Sequence, residues 1–250
     1  MRPGGWVGLA ALLGSAAGAF GIRRAFRCDM ADIASRLEAE SELVTTQAGP
    51  VEYAREGRGL AALISHGAGG GYDQALFVGR EVLGAGYDII APSRFGYLRT
   101  PVIGTQPPSA QADAYAGLLD RLEVQQAIVL GISAGAPSAI EMALRHPERV
   151  TALILIVPRA FAPEHDVEAE DTAPNRAVMS MILRGADFAF WLALKVAPGR
   201  ILRFLGVPAA VAQAADPLER ARLRRIMRDI LPLSKRVAGL RNDGDTNIQR

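Results

Sequence analysis

Cysteine and histidine are scarce in this chain: the 250 residues hold one cysteine and three histidines, and their charges nearly cancel. The single Cys28 excludes an internal disulfide and points to a reducing compartment. Its C-D-M neighbourhood offers no metal-ligand partner, so it reads as an incidental thiol. A formal charge of +2 is too small to argue for nucleic acid as a partner, and no sequence motif calls for a metal or an organic cofactor. Half of the residues are apolar, and glycine and proline are common without any repeat, which excludes disordered and fibrous classes. The length suffices for one sizeable core with room for an inserted subdomain.

Charge is also missing locally. From Pro3 to Ile22 the run PGGWVGLAALLGSAAGAFGI holds twenty residues without a charged side chain. As a helix it would span about 30 Å, enough to cross a bilayer core. Three readings are open: an uncleaved anchor, a signal peptide cut near Ala17-Gly18-Ala19, and a buried globular helix. Arg23, Arg24 and Arg27 follow the run, against Arg2 and the amino terminus before it. That asymmetry puts the C-terminal side in the cytoplasm, and basic residues are unusual just after a cleavage site. The expectation is a single-pass anchor in the cell membrane over residues 1–28, in contact with membrane lipid, with a cytoplasmic domain beyond it. Residues 29–48 read as a polar, partly helical spacer.

Beyond residue 49 strands and helices alternate. PVEYARE (50–56), LAALISHG (60–67), YDIIAPSR (87–94), QAIVLGIS (126–133) and VTALILIVP (150–158) read as strands. ALFVGREVLGAG (75–86) carries Leu76, Val78 and Val82 at helical spacing, and SAQADAYAGLLDRLEV (109–124) places Leu118, Leu119 and Leu122 on one side. This pattern predicts an α/β fold, a doubly wound and mostly parallel sheet with helices on both faces, over residues 49–158.

One stretch joins a buried strand to an amphipathic helix through Gly131-Ile132-Ser133-Ala134-Gly135. A serine at the end of a parallel strand must turn sharply to project its oxygen above the sheet. Residues two before and two after it then crowd neighbouring backbone, so Gly131 and Gly135 suit that turn. The helix that follows aligns Ala136, Ile140, Ala143 and Leu144, tolerates Pro137 in its first turn and stops at Pro147. Ser133 is therefore the candidate nucleophile. A second stretch, SHGAGGG (65–71), follows the strand at 60–65 and can bring backbone N–H groups close to a ligand. A tetrahedral intermediate carries an oxyanion that needs such donors. The N–H groups of Ala134 and Ala68 are the expected pair, with Gly69 as second choice in the loop. A phosphate-binding reading lacks both G-K-[ST] and the G-x-G-x-x-G spacing.

Together HGAGGG, APSRFGY after the next strand, GISAG and HPERV resemble the α/β-hydrolase family from about residue 49 to 241. The resemblance implies an oxyanion loop supported by His66 and Gly67, and an elbow shaped by Gly131 and Gly135. It also implies a helical cap inserted after the sixth strand, here residues 159–241. Relatives with an aspartate nucleophile open epoxides or remove halogen. Ser133 points instead to esters, thioesters, lactones or hydrolytic carbon–carbon cleavage through an acyl-enzyme. The apolar cap sequence AVMSMILRGADFAFWLALKVAPGRILRFLG (177–206) would suit a lid over a small acyl-bearing or otherwise apolar substrate. In DPLERARLRRIMRDI (216–230), Asp216, Pro217 and Glu219 form a helix start. Its Arg220, Arg224, Arg225 and Arg228 oppose Leu223, Ile226, Met227 and Ile230, either as a solvated face or as one near anionic lipid.

Family order is serine, acid, then histidine. His66 belongs to the oxyanion loop, His146 to the end of the elbow helix, where it can cap carbonyls, and His165 to an acidic stretch. None stands where the family keeps its base, and Asp243 and Asp245 read as lead-in (242–250) to a strand rather than as the acid. The expectation is a fragment whose acid and base lie beyond Arg250, with VTALILIVP left as an uncovered apolar edge. The rival from another class is a non-catalytic binding protein on the same fold.

Overall fold

The structure, a computed structural model, describes residues 4–158 and 172–248, with side chains given between residues 18 and 246 of those spans. The chain divides into two units, Met1–Ala39 and Glu40–Arg250. The first unit is one helix, α1 (Gly4–Ala39). The helix runs through the expected boundary at residue 28, because residues 23–39 contain neither proline nor glycine and hold four Ala and four Arg. Most of the expected anchor lies outside the residues whose side chains are described. Among the described residues no helix is long and apolar enough to cross a membrane.

The second unit opens with a hairpin where a spacer was expected. Strand β1 (Glu42–Thr46) pairs antiparallel with β2 (Gly49–Gly57). Thr46 Oγ1 closes the turn, accepting from Ala48 N–H and donating to the Gly49 carbonyl. There follow β3 (Leu60–Ser65), α2 (Tyr72–Leu83), β4 (Tyr87–Pro92), α3 (Pro108–Arg121), β5 (Ala127–Ile132), α4 (Ala136–Arg145) and β6 (Val150–Ile156). The six strands are ordered β1-β2-β4-β3-β5-β6, parallel from β4 to β6 and antiparallel at β1 and β2. The α/β, mostly parallel reading of the sequence therefore describes this sheet.

Leu63, Ile90 and Val129 bury one face of the sheet under Tyr115, Leu118 and Leu119 of α3 and Ala139 and Met142 of α4. The buried side of α4 is thus Ala136, Ala139 and Met142; Leu144, expected on it, is 71% exposed. Strand β6 forms the sheet's edge and leaves Leu153, Ile154 and Leu155 between 36% and 38% exposed. After residue 172 the chain is helical: α5 (Ala173–Leu183), α6 (Asp187–Val196), α7 (Pro198–Phe204), α8 (Ala209–Ala214), α9 (Pro217–Arg228) and α10 (Val237–Ile248). Asp216 caps α9 by accepting from Glu219 N–H at 2.8 Å. The face of α9 differs from the expected one. Ile226 is exposed, and Arg225 lies over the Phe77 ring of α2 at 5.5 Å rather than in water alone. Residues 242–248, expected as lead-in to a strand, continue α10.

What this arrangement does for the site follows from register. Parallel β3 and β5 are neighbours, and Ser65 pairs with Gly131 at their C-terminal ends. The glycine-rich loop leaving β3 and the serine leaving β5 therefore emerge side by side, at the edge where α/β sheets place their ligands.

Candidate active site

Ser133 sits directly after β5 with φ of 48°, a left-handed conformation that costs a non-glycine residue about 1–3 kcal/mol unless its surroundings enforce it. The surroundings are tight. A Cβ on Gly131 would lie 2.7 Å from both Ala136 Cα and Ala139 Cβ. One on Gly135 would lie 2.4 Å from the Ser65 carbonyl oxygen and 2.5 Å from that of His66. Both glycines are thus required by close backbone approach. A buried relay ties the elbow to the sheet: Tyr115 OH donates to Ser65 Oγ at 2.7 Å, Ser65 Oγ meets Ser138 Oγ at 3.0 Å, and Ser138 donates to the Gly135 carbonyl. Burial pushes the Tyr115 hydroxyl's pKa up, which keeps it a donor.

The loop after β3 comes against this turn. A Cβ on Gly67 would lie 3.5 Å from Ser133 Cβ. Gly67 N–H donates to Gln74 Oε1 at 2.8 Å, Gly70 N–H to the Gly67 carbonyl at 3.3 Å, and Gly69 N–H points at Tyr97 OH, 3.5 Å away. Among the described residues the N–H groups of Ala68 and Ala134 make no hydrogen bond. Of the two loop candidates, then, Ala68 keeps an available donor and Gly69 turns toward Tyr97. Ala68 is exposed, while Ala134 is 7% exposed at the start of the 3₁₀ turn leading into α4.

His66 is fully buried, and both its ring nitrogens are committed. Nε2 accepts from Arg94 N–H at 2.9 Å, which leaves Nδ1 as the protonated nitrogen, donating to the Gly67 carbonyl at 2.8 Å. Burial, then the neighbouring Arg94 guanidinium, holds its pKa well below the usual histidine value. It is a neutral structural imidazole that supports the loop. His146 does not cap carbonyls as expected; its Nε2 pairs with Asp113 Oδ1 on α3 at 2.8 Å, beyond the far end of α4 from Ser133. His165 lies outside the described residues.

Several site residues were not assigned from sequence. Arg94, in the APSRFGY stretch, reaches back to donate from Nε to the His66 carbonyl at 2.9 Å and is paired with Asp243 of α10 at 2.6 Å. Asp243, read as lead-in to a strand, is a buried ion-pair partner instead. The arginine next to a strand end was the available signal; its acidic partner stands 149 positions away and carried none. A cleft also reaches Ala134, lined by Phe95, Pro107 and Pro137 and by the polar side chains of Arg94, Gln111 and Asp243. Gln111 accepts from Phe95 N–H, and its buried Nε2 has no partner among the described residues.

Comparison with known proteins finds that residues 63–194 match the family described as the alpha/beta hydrolase fold. The chain is 40% identical over 116 residues to a Bacillus subtilis protein named Uncharacterized hydrolase YcgS, covering 46% of this chain and 40% of that one. It is 29% identical over 120 residues to a 2-hydroxy-6-oxo-6-phenylhexa-2,4-dienoate hydrolase of Comamonas testosteroni, covering 46% and 42%. These matches span only about two fifths of either relative's length. Among solved structures, an alpha/beta hydrolase fold protein from Nakamurella multipartita superposes with a TM-score of 0.61 at 27% identity, covering 83% of this chain and 74% of that one.

The committed imidazole gives a pH test. The His66 pKa in the folded chain lies below its ordinary 6.5, so on unfolding it takes up a proton that the folded state excludes. Stability contributed by this site is complete above about pH 6.5 and falls by about 1.4 kcal/mol per unit below it, until the folded pKa is reached. Urea unfolding at a series of pH values should show this slope in the native chain and lose about one proton's worth of it in His66→Gln. Equal slopes would contradict a neutral, buried His66.

Proposed function

Because the chain belongs to the α/β-hydrolase fold family, we propose that it is a serine hydrolase acting on an ester, thioester or related carbonyl substrate, with Ser133 as nucleophile. The observation that carries the reading is the strained serine itself. It is held at φ 48° between a strand and a helix, with Gly67 so near that a Cβ there would lie 3.5 Å from the Ser133 Cβ. Strain of this kind persists only where neighbours enforce it, and it concentrates at functional sites. In this reading Ser133 Oγ attacks the substrate carbonyl carbon, and the carbonyl oxygen takes the negative charge. The N–H groups of Ala134 and Ala68 stabilise it as it forms. Collapse of the intermediate breaks the bond to the leaving group, which departs with a proton, and water then releases the acyl group from Ser133. His66 and His146 are both committed elsewhere, so the reading draws acid and base from outside the described residues. The names of the two relatives described above, both hydrolases, support hydrolysis, and the apolar cap sequence at 177–206 favours a substrate with an apolar part.

A fluorophosphonate probe tests the assignment without knowledge of the substrate. In a protein that carries the acid and base this reading requires, it should form one adduct, on Ser133, and none in Ser133→Ala. Labelling that survives in Ser133→Ala contradicts the assignment. Such a protein that never reacts supports the rival reading, a binding protein on the hydrolase fold.

We also propose that the N-terminal segment anchors the protein in the cell membrane with the hydrolase domain on the cytoplasmic side. The uncharged run at 3–22 and the arginines at 23, 24 and 27 support this. The protein should sediment with membranes, deletion of residues 1–27 should release it, and protease added outside intact cells should spare the domain. Digestion from outside, or a mature protein beginning near Phe20, would contradict the anchor.

A further inference from the structure

Two buried ion pairs join the segment from Leu231 to Asp243 to the core, and they are crossed. Core Arg94 pairs with Asp243, through Nη1 to Oδ1 at 2.6 Å and Nη2 to Oδ2 at 2.8 Å. Core Asp73 pairs with Arg236, at 3.1 Å and 2.8 Å to its two oxygens. The side chains of Arg94 and Asp243 are 7% and 8% exposed, and those of Asp73 and Arg236 are 3% and 0%. Tyr97 OH donates to Asp243 Oδ2 at 2.6 Å, and its ring stands edge-on to His66 with centroids 4.7 Å apart. Backbone bonds hold the same segment: Gly239 N–H to the Gly96 carbonyl at 2.8 Å and Leu98 N–H to the Lys235 carbonyl at 2.6 Å.

The two core partners bracket the glycine-rich loop. Asp73 stands in the first turn of α2, where the loop ends. Arg94 lies at its beginning, donating to the His66 carbonyl at 2.9 Å and reaching the Gly67 carbonyl at 3.4 Å. The Gly67 carbonyl also accepts from His66 Nδ1 and from Gly70 N–H. That carbonyl shares a planar trans peptide with Ala68 N–H, and the two groups point in opposite directions. Whatever fixes the carbonyl therefore aims the N–H. Buried ion pairs add little stability over apolar packing of the same shape, so two of them around one short loop act chiefly on geometry.

We infer that the crossed pairs Arg94–Asp243 and Asp73–Arg236 make residues 231–243 a brace for the oxyanion loop, with Arg94 and Asp243 positioning Ala68 N–H for the transition state. These are positioning residues: neither touches the reacting atoms in this scheme. The catalytic part of the inference rests on the proposed role of Ser133; the structural part does not. Both are tested in the full chain with Asp243→Asn, which removes the charge and keeps the shape. Hydrogen exchange of the amides in residues 66–73, read by mass spectrometry, needs no activity. It should accelerate about tenfold or more, while exchange within α4 stays at the native rate. The second-order rate of fluorophosphonate labelling at Ser133 should fall about tenfold or more. Arg222→Ala, which breaks exposed pairs with Glu219 on α9 and with Glu81 at the far end of α2, should change neither. Loop exchange within about twofold of native in Asp243→Asn overturns the brace, as does unchanged labelling of a reactive Ser133. If a protein that carries the required acid and base does not label, the serine-hydrolase reading fails while exchange still decides the brace. Should Asp243→Asn not fold, Tyr97→Phe removes one hydrogen bond to Asp243 and leaves the ion pair. It should accelerate loop exchange about threefold, and native-like exchange in it overturns the inference.

Discussion

The site depends on a backbone contact with no room for a side chain. Gly135, at the start of α4, lies so close to the ends of β3 that an added Cβ would fall within 2.5 Å of the carbonyl oxygens of Ser65 and His66. This approach draws the elbow helix against the loop that leaves the neighbouring strand, and it sets where Ser133 can stand. The left-handed φ of Ser133 is the local cost of the turn, about 1–3 kcal/mol. The Tyr115–Ser65–Ser138 hydrogen bonds, ending on the Gly135 carbonyl, hold the turn in place from below.

Behind the loop the wall is polar rather than apolar. His66, Arg94, Tyr97 and Asp243 are all buried, and each hydrogen-bonds another of the group or the loop backbone. Burial opposes the charge on Arg94, yet Asp243 beside it keeps its pKa above the ordinary arginine value. The same cation helps keep His66 neutral. One set of interactions thus removes His66 from acid–base work and occupies the carbonyls of His66 and Gly67. In the proposed reading this means a division of labour: the described core offers the candidate nucleophile and oxyanion donors, and proton transfer falls to other residues.

Most of the sheet was legible because its strands are nearly continuous apolar runs separated by glycine-rich turns, as in LAALISHG and QAIVLGIS. The elbow was legible for the same reason, since Gly131 and Gly135 flank a serine at a strand–helix junction. Strand β1 was hidden: ELVTT is short and mostly exposed, so it shows no buried run. The buried face of α4 was misjudged because small residues, Ala136 and Ala139, make the close contact while the larger Leu144 faces solvent. The ionic brace could not be read at all. Its partners stand 149 and 163 positions apart, and nothing local distinguishes Asp243 or Arg236 from other charged residues of the helical segment.

The central claim is that the N–H groups of Ala68 and Ala134 face a common point beside Ser133 Oγ. A crystal structure of the phosphonylated protein tests it directly, because the tetrahedral phosphorus adduct mimics the acylation intermediate. The account predicts the adduct on Ser133, with its phosphoryl oxygen about 2.7–3.1 Å from both amide nitrogens. A phosphoryl oxygen turned to solvent, or held by groups other than these two amides, would contradict it.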